Sequence, residues 1–403
     1  MRYQNLMGML LIPDMVGLMR RRVLGSMAQQ LAPSRHEADR SGRDGVELPV
    51  RRSGRRAEGI VGLIPMRWRP VVMVALVTVL MGVALVGVFV GSVWISPATV
   101  FQVIGSELGL VDGGDLDPAQ TKVVWDLRVP RVLLGAVVGA SLSVAGGAIQ
   151  VAVRNPLGDP YLLGVMAGAS TGAVFVIVVG STGVGGLGLS AAAFVGAIAA
   201  TTMTFLFGRS GTRLPAVRVV LAGVAVAYLF SSVTFYLQTL ATPNELRRAL
   251  FWGLGSLGGA TWTDLRIPTV AVVLGSVWLL SQARSLNALL TGEESATSLG
   301  VGVERTQLAL LVTASGLSAV VVAVAGGIGF VGLVVPHVAR MLFGSDHRRA
   351  LPAMVLLGAV FLILADVVAR TIVRPAELPI GIVTSAVGAP FFLWLLRRVR
   401  TGS

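Results

Sequence analysis

The chain has 403 residues, 54% of them hydrophobic and only 13% charged, with a mean hydropathy of +0.79. A soluble domain carries about a quarter charged residues, so an ordinary water-soluble enzyme is excluded. The net charge of +13 has two readings, nucleic acid or membrane topology, and the positions of the charges decide between them.

Residues 1–65 mix arginine clusters (20–22, 51–52 and 55–56) with Ser, Gly, Pro and acids and show no apolar period. That composition predicts a basic, disordered extension. It is either a cytoplasmic arm on the membrane surface or the product of a start codon assigned too early, with Met66 just ahead of the first apolar window. Residues 66–403 form the membrane domain. A transmembrane helix needs about 20 apolar residues, and charge-free windows run at 70–106, 132–153, 160–208, 219–244, 267–283, 306–339, 350–365 and 378–396.

Two windows, 160–208 and 306–339, are each read as two segments. As a single helix, residues 160–208 would run roughly 74 Å at 1.5 Å per residue, so a turn is expected at 180–188. Residues 306–339 are expected to break at Gly326-Gly327-Ile328-Gly329, and the Gly-rich stretch 249–263 reads as a surface or half-membrane segment. The expected fold is an all-α polytopic membrane protein of ten spans, with nine or eleven as alternatives.

Lys and Arg accumulate on the cytoplasmic side of short loops. With the N-terminus inside, the inner loops and C-terminus carry twelve arginines against five acids, whereas the outer loops carry eight basic residues against nine acids. The basic excess is therefore mostly topology, both termini are expected inside, and nucleic acid is not an expected partner.

Cysteine is absent, which removes thiolate chemistry and Cys-ligated metal. The three histidines, His36, His337 and His347, form no H-x-x-x-H pair, and the single lysine, Lys122, follows Thr121, so no G-K-[ST] phosphate loop exists. Catalytic residues, metal ligands and a cofactor on this chain are not expected. His337 is expected to be buried and structural, and His347 a solvated loop residue.

Small residues recur every fourth position at Gly135, Gly139, Ser143 and Gly147 and at Gly164, Gly168 and Gly172, the spacing that lets helix backbones approach closely in lipid. Ionisable groups are nearly absent from the spans, with Asp366 the nearest exception. Ion-coupled carriers keep such groups at membrane depth, so an energy source on a partner is expected. A short echo between residues 145–149 (AGGAI) and 325–329 (AGGIG) hints at an inverted repeat.

Residues 127–165 read LRVPRVLLGAVVGASLSVAGGAIQVAVRNPLGDPYLLGV. They are followed by LAGVAVAY (221–228), FWGLGSLGG (251–259), LNALLTGEESATSLGV (286–301), GGIGFVGLVVPHVARML (326–342) and ADVVARTIVRPAELPIGIVTSAVGAPFFLWLL (365–396). In this order the segments closely resemble the ABC importer permeases that carry iron–siderophore complexes, haem and vitamin B12. The resemblance implies the ten-helix type II importer fold in a bacterial cytoplasmic (inner) membrane. It also implies a homodimer, two ATP-binding subunits that use ATP and Mg, and an extracytoplasmic substrate-binding protein.

Carried over by motif, Arg128, Arg131 and Arg370 would dock acidic residues of the binding protein, a use that suits the planar guanidinium fork. Ordinary interfacial arginine, or local pairing with Asp126 and Glu377, is the alternative. Residues 286–301 match the coupling helix that meets the ATPase, through Gly292, Glu293, Ser295, Ala296, Leu299 and Gly300. Pro215, Ala216 and Val217 stand at the cytoplasmic gate, where they are more apolar than the small hydroxyl residues expected of the family. Asn155-Pro156-Leu157 and 378–381 (LPIG) read as structural helix breakers. An ion-coupled secondary carrier is the main rival reading, ahead of a channel and a non-transporting receptor.

Overall fold

The structure, a computed structural model, describes residues 62–91, 93–112, 114, 116–180, 188–211, 213–373 and 376–400. The basic extension expected at 1–65 lies almost wholly outside the described residues, as does most of the turn expected at 180–188. Among the described residues there are fourteen α-helices of six or more residues and no β-strand. They are α1 (Arg69–Phe89), α2 (Pro97–Glu107), α3 (Val129–Ala152), α4 (Val165–Val179), α5 (Leu189–Gly208), α6 (Ala216–Thr239) and α7 (Pro243–Gly253). After them come α8 (Trp262–Ser281), α9 (Ala283–Leu290), α10 (Glu293–Ser298), α11 (Val303–Ala325), α12 (Val331–Phe343), α13 (His347–Thr371) and α14 (Ile380–Arg400).

Seven of these are long and apolar enough to cross a membrane: α1, α3 with its extension from Pro118, α5, α6, α8, α11 and α13. Three shorter apolar helices, α4, α12 and the first part of α14, occupy the other expected windows. An all-helical answer follows from the solvent, because hydrocarbon satisfies no backbone N–H or C=O and a helix satisfies its own.

The helix α3 is the central column. It is buried along most of its length and packs against α8, α11, α12 and α13. Its small residues make that possible. A Cβ on Gly139 would stand 2.1 Å from the Gly358 carbonyl oxygen of α13, and one on Gly146 would stand 2.1 Å from the Gly332 oxygen of α12. The second ridge does the same for α4 and α5, where Gly168 and Gly196 face each other with either added Cβ 2.2 Å from the opposite carbonyl oxygen.

Three chain breaks meet on one another. The segment after α7, the segment between α11 and α12, and the start of α14 share backbone hydrogen bonds: Ser256 N–H to Ala325 O (2.9 Å), Ile380 N–H to Gly255 O (3.1 Å) and Gly381 N–H to Leu254 O (3.0 Å). Gly255 and Gly326 both take positive φ there, and a Cβ on Gly255 would lie 2.5 Å from Gly327 O, so only glycine fits. The two stretches of the echo differ in local conformation. Residues 145–149 remain helical inside α3, whereas 326–329 leave the helix altogether.

Gly139→Ala is expected to destabilise the protein by about 1–3 kcal/mol, the usual cost of overpacking against atoms that cannot move aside. Gly82→Ala on α1, where an added Cβ meets nothing within 4 Å, is expected to be neutral or to stabilise by up to about 1 kcal/mol through helix propensity. Thermal unfolding in a fixed detergent checks both; equal effects would contradict the packing described.

Candidate functional site

The charges gather at the two ends of the bundle. At one end stand the start of α3, the end of α13 and the loop that follows it. Arg131 reaches Asp366 through Nε (3.1 Å to both carboxylate oxygens) and Nη2 (2.9 Å), while its Nη1 donates to Glu377 at 2.9 Å. Arg370, one turn beyond Asp366, completes the cluster with an ion pair at 3.0 Å and donates Nη1 to Val90 O at 2.9 Å. Asp366 is therefore a paired structural carboxylate buried between two guanidiniums.

The three arginines expected to meet a docking partner are not free cations here. Arg128 is buried and donates to the carbonyl oxygens of Val88, Phe89 and Val93, filling the space over Gly91. Its guanidinium satisfies the carbonyls left open at the end of α1. Arg370 is equally buried. Arg131 keeps 11% of its side chain exposed and shares it with Glu377, itself 41% exposed. Of the two local partners weighed for these arginines, Glu377 pairs with Arg131, whereas Asp126 pairs with none of them.

The opposite end carries the segment 283–300. Gly292, at φ +109, turns the chain from α9 into α10, with Glu293 and Glu294 in the first turn, favourable for the helix dipole. Ala296 is buried, while Ser295, Leu299 and Gly300 are exposed. Glu293 pairs with Arg154 at 3.0 Å, and Arg154 itself follows α3 with a positive φ. Asn287 on α9 donates to Asp346 (2.7 Å) and accepts from the His347 backbone N–H (2.9 Å) and ring Nδ1 (2.8 Å). His347 is thus fully buried at the start of α13 rather than solvated, because Asn287 closes over it. His337, expected to be buried, is half-buried and stands edge-on to Phe391.

The expected gate residues sit at this same end. Ser210 and Arg213 close a tight backbone turn (2.9 and 3.2 Å), after which Pro215 caps α6 and Ala216 and Val217 begin it. Val217 is among the most exposed large apolar residues. Arg213 ties the turn to Glu304 at the start of α11 (3.0 Å).

Between the ends, a cleft of about 370 Å³ opens among α4, α6 and α7, lined in part by Tyr161, Ser170, Ser231, Thr234 and Gln238. The Tyr161 hydroxyl donates to Ile328 O and accepts from Ile328 N–H, both at 2.9 Å, pinning the 153–164 loop to the break before α12. Asp159 caps this turn, its carboxylate accepting from Tyr161 N–H at 2.8 Å, and burial pushes its pKa up to about 6. Sequence reasoning missed Asn287 and the hydroxyl-lined cleft. The available signal was a polar residue inside an apolar stretch, which Asn287, Ser170, Ser231 and Gln238 all are.

A bundle of apolar helices with charges confined to its ends and broken segments pinned to one another is the architecture of a polytopic membrane protein. The sequence profile of the FecCD transport family matches residues 76–398, and the chain belongs to that family. The cobalamin import system permease BtuC of Halobacterium salinarum is 45% identical over 275 residues, which cover 68% of this chain and 73% of that protein. The hemin transport system permease HmuU of Yersinia pestis is 42% identical, over 69% of this chain and 84% of its own length. Among solved structures, a metal-chelate type ABC transporter in an inward-facing conformation superimposes with a TM-score of 0.70. Its identity is 30%, over 82% of this chain and 99% of that one.

Two outcomes test the geometry. Asp366→Asn, which leaves two buried guanidiniums without their counter-charge, is expected to cost about 3–5 kcal/mol; an unchanged unfolding midpoint would contradict the cluster. Because the folded-state pKa of Asp159 lies above the usual value of about 3.9, its stabilising contribution is present at low pH and lost as pH rises through about 6. Asp159→Asn keeps the acceptor without the charge, so its midpoint should exceed wild type at pH 7.5 and match it near pH 4; a pH-independent difference would refute the desolvation of this half-buried carboxyl.

Proposed function

We propose that the chain is the membrane-spanning permease subunit of an ATP-driven importer, crossing a bacterial cytoplasmic membrane ten times as half of a homodimer. Its cargo is an iron chelate, haem or cobalamin delivered by an extracytoplasmic substrate-binding protein, with the metal held by the chelator or macrocycle. Two ATP-binding subunits supply the energy, and hydrolysis with its ATP and Mg belongs to them. Family membership and the cobalamin, hemin and metal-chelate functions named for the relatives support the cargo class.

The observation that carries the mechanism is the continuous path from the segment 283–300 to the arginine cluster. Asn287 fastens α9 to Asp346 and His347, and α13 then runs its 25 residues, roughly 36 Å at 1.5 Å per residue, to Asp366 and Arg370. Closure of the ATP-binding subunits against Gly292, Glu293, Ser295, Ala296, Leu299 and Gly300 moves α9 and α10, and with them the start of α13. The same end holds the gate turn, so Pro215, Ala216 and Val217 shift relative to α11 through the Arg213–Glu304 pair. An apolar constriction of this kind closes by dewetting. The hydroxyl-lined cleft among α4, α6 and α7 forms the wall along which cargo passes.

At the outer end, Arg131 is the docking arginine. It exchanges Glu377 for an acidic side chain of the arriving binding protein while Asp366 keeps it in place. Arg128 and Arg370 act from inside, by holding the ends of α1 and α13 and so the platform that Arg131 stands on.

Pull-down of the tagged chain from its native membrane is expected to recover a stoichiometric ATPase, and Glu293→Arg is expected to remove that ATPase or uncouple it from transport. Normal coupled transport by the variant would contradict the role of α10. Glu377→Gln is expected to tighten association of the binding protein a few-fold, in line with about 0.2–1 kcal/mol for an accessible ion pair. Weaker or unchanged association would refute the exchange.

A further inference from the structure

A groove of about 470 Å³ lies between the end of α5, the gate turn and the start of α11. Its apolar wall is Phe205, Leu206 and Leu308, and its rim carries Arg209, Arg305 and Glu304. Arg213 already neutralises Glu304 at 3.0 Å. Arg209 uses only its backbone carbonyl, which accepts from Arg218. Among the described residues, neither the Arg209 nor the Arg305 guanidinium has a hydrogen-bond or ion-pair partner within the chain.

An apolar trough whose mouth holds two unpaired guanidiniums matches one ligand chemistry, two acyl chains joined to a monoanionic phosphate. Basic pockets between helix ends bind anionic lipid headgroups for this reason. Guanidinium groups bind phosphate oxygens by charge-assisted, often bidentate hydrogen bonds. A zwitterionic lipid brings the same chains and phosphate but adds a cation that the two arginines repel.

We propose that this groove is a binding site for an anionic phospholipid, with the phosphate between Arg209 and Arg305 and an acyl chain along Phe205, Leu206 and Leu308. Arg209 leads directly into the Ser210–Arg213 turn, and Arg305 stands on the first turn of α11, just after the segment 283–300. The bound lipid therefore bridges the turn before Pro215 to the helix that follows the coupling segment and restrains their separation. The inference depends on the chain being an integral membrane protein and is independent of what the chain transports.

The test uses the full chain, delipidated in detergent and titrated with phosphatidylglycerol, with phosphatidylethanolamine of the same acyl chains, and with glycerol 3-phosphate, with bound adducts counted by native mass spectrometry. Wild type is expected to retain phosphatidylglycerol several-fold better than phosphatidylethanolamine and to ignore glycerol 3-phosphate at equal concentration. Arg209→Gln combined with Arg305→Gln should abolish that preference, whereas Arg284→Gln, at an exposed arginine outside the groove, should keep it. If the double variant does not fold, Arg209→Lys with Arg305→Lys, which keeps both charges, is expected to retain the preference, and Leu206→Glu is expected to lose phosphatidylglycerol. Equal retention of the two lipids by wild type, an unchanged preference in the glutamine or Leu206→Glu variants, or a preference lost with lysines in place would overturn the proposal. Competition by glycerol 3-phosphate as effective as the lipid would make the groove a small-anion site and overturn it equally.

Discussion

Contact of backbone with backbone at glycine governs this fold. In lipid no hydrophobic force pulls one apolar helix to another, so association depends on close packing and polar contacts. The helix α3 meets this condition by carrying Gly139 against the Gly358 carbonyl and Gly146 against the Gly332 carbonyl. Everything else is arranged around that column. With α13 fixed at Gly358, its two ends are fixed as well, one in the Arg131–Asp366–Arg370 cluster and the other under Asn287. With α12 fixed at Gly332, the break before it is held where the 254–256 segment and the start of α14 can pair with it.

The ends of the bundle are specialised in different ways. At the Arg131 end the charged groups are desolvated and mutually paired, an arrangement that costs several kcal/mol per ion unless each finds partners. Asp366 is the hub because its carboxylate receives both Arg131 and Arg370. Glu377 is the solvent-exposed member of the cluster. At the opposite end the pairs Arg154–Glu293 and Arg213–Glu304 are exposed. Exposed pairs contribute at most about 1 kcal/mol, which suits contacts that must rearrange. One end is thus held by buried, mutually paired charges and the other by exposed pairs that solvent screens.

The helices were largely legible because lipid imposes a length and a composition that a soluble core does not. Every charge-free window of the sequence holds a long helix or one of the three shorter apolar ones. The breaks at 326–329 and after residue 253 were signalled by glycine. The relation of these breaks to one another was not, since the pairing of Gly255 with Ile380 spans more than a hundred residues. The small-residue ridges were visible as spacing, yet spacing alone does not name the facing glycine. The helix α10 was legible from its Gly-Glu start and its small residues. The surroundings of the three arginines were not legible: nothing local to residue 128 reveals that its guanidinium ends on carbonyls some forty residues earlier. His347 was misplaced for the same reason, because the group that buries it, Asn287, is distant in sequence.

In the function proposed above, energy for movement enters from an ATP-binding partner rather than from an ion gradient. The paired and buried state of Asp366 argues for it, since a carrier's coupling carboxylate must be able to gain and lose its ion. Transport in sealed vesicles tests the claim directly, comparing the chain alone under an imposed proton or sodium gradient with the chain purified together with its ATPase and supplied with binding protein, cargo and ATP. Cargo accumulation is expected only in the second preparation and only with ATP. Accumulation by the chain alone under an ion gradient would contradict it.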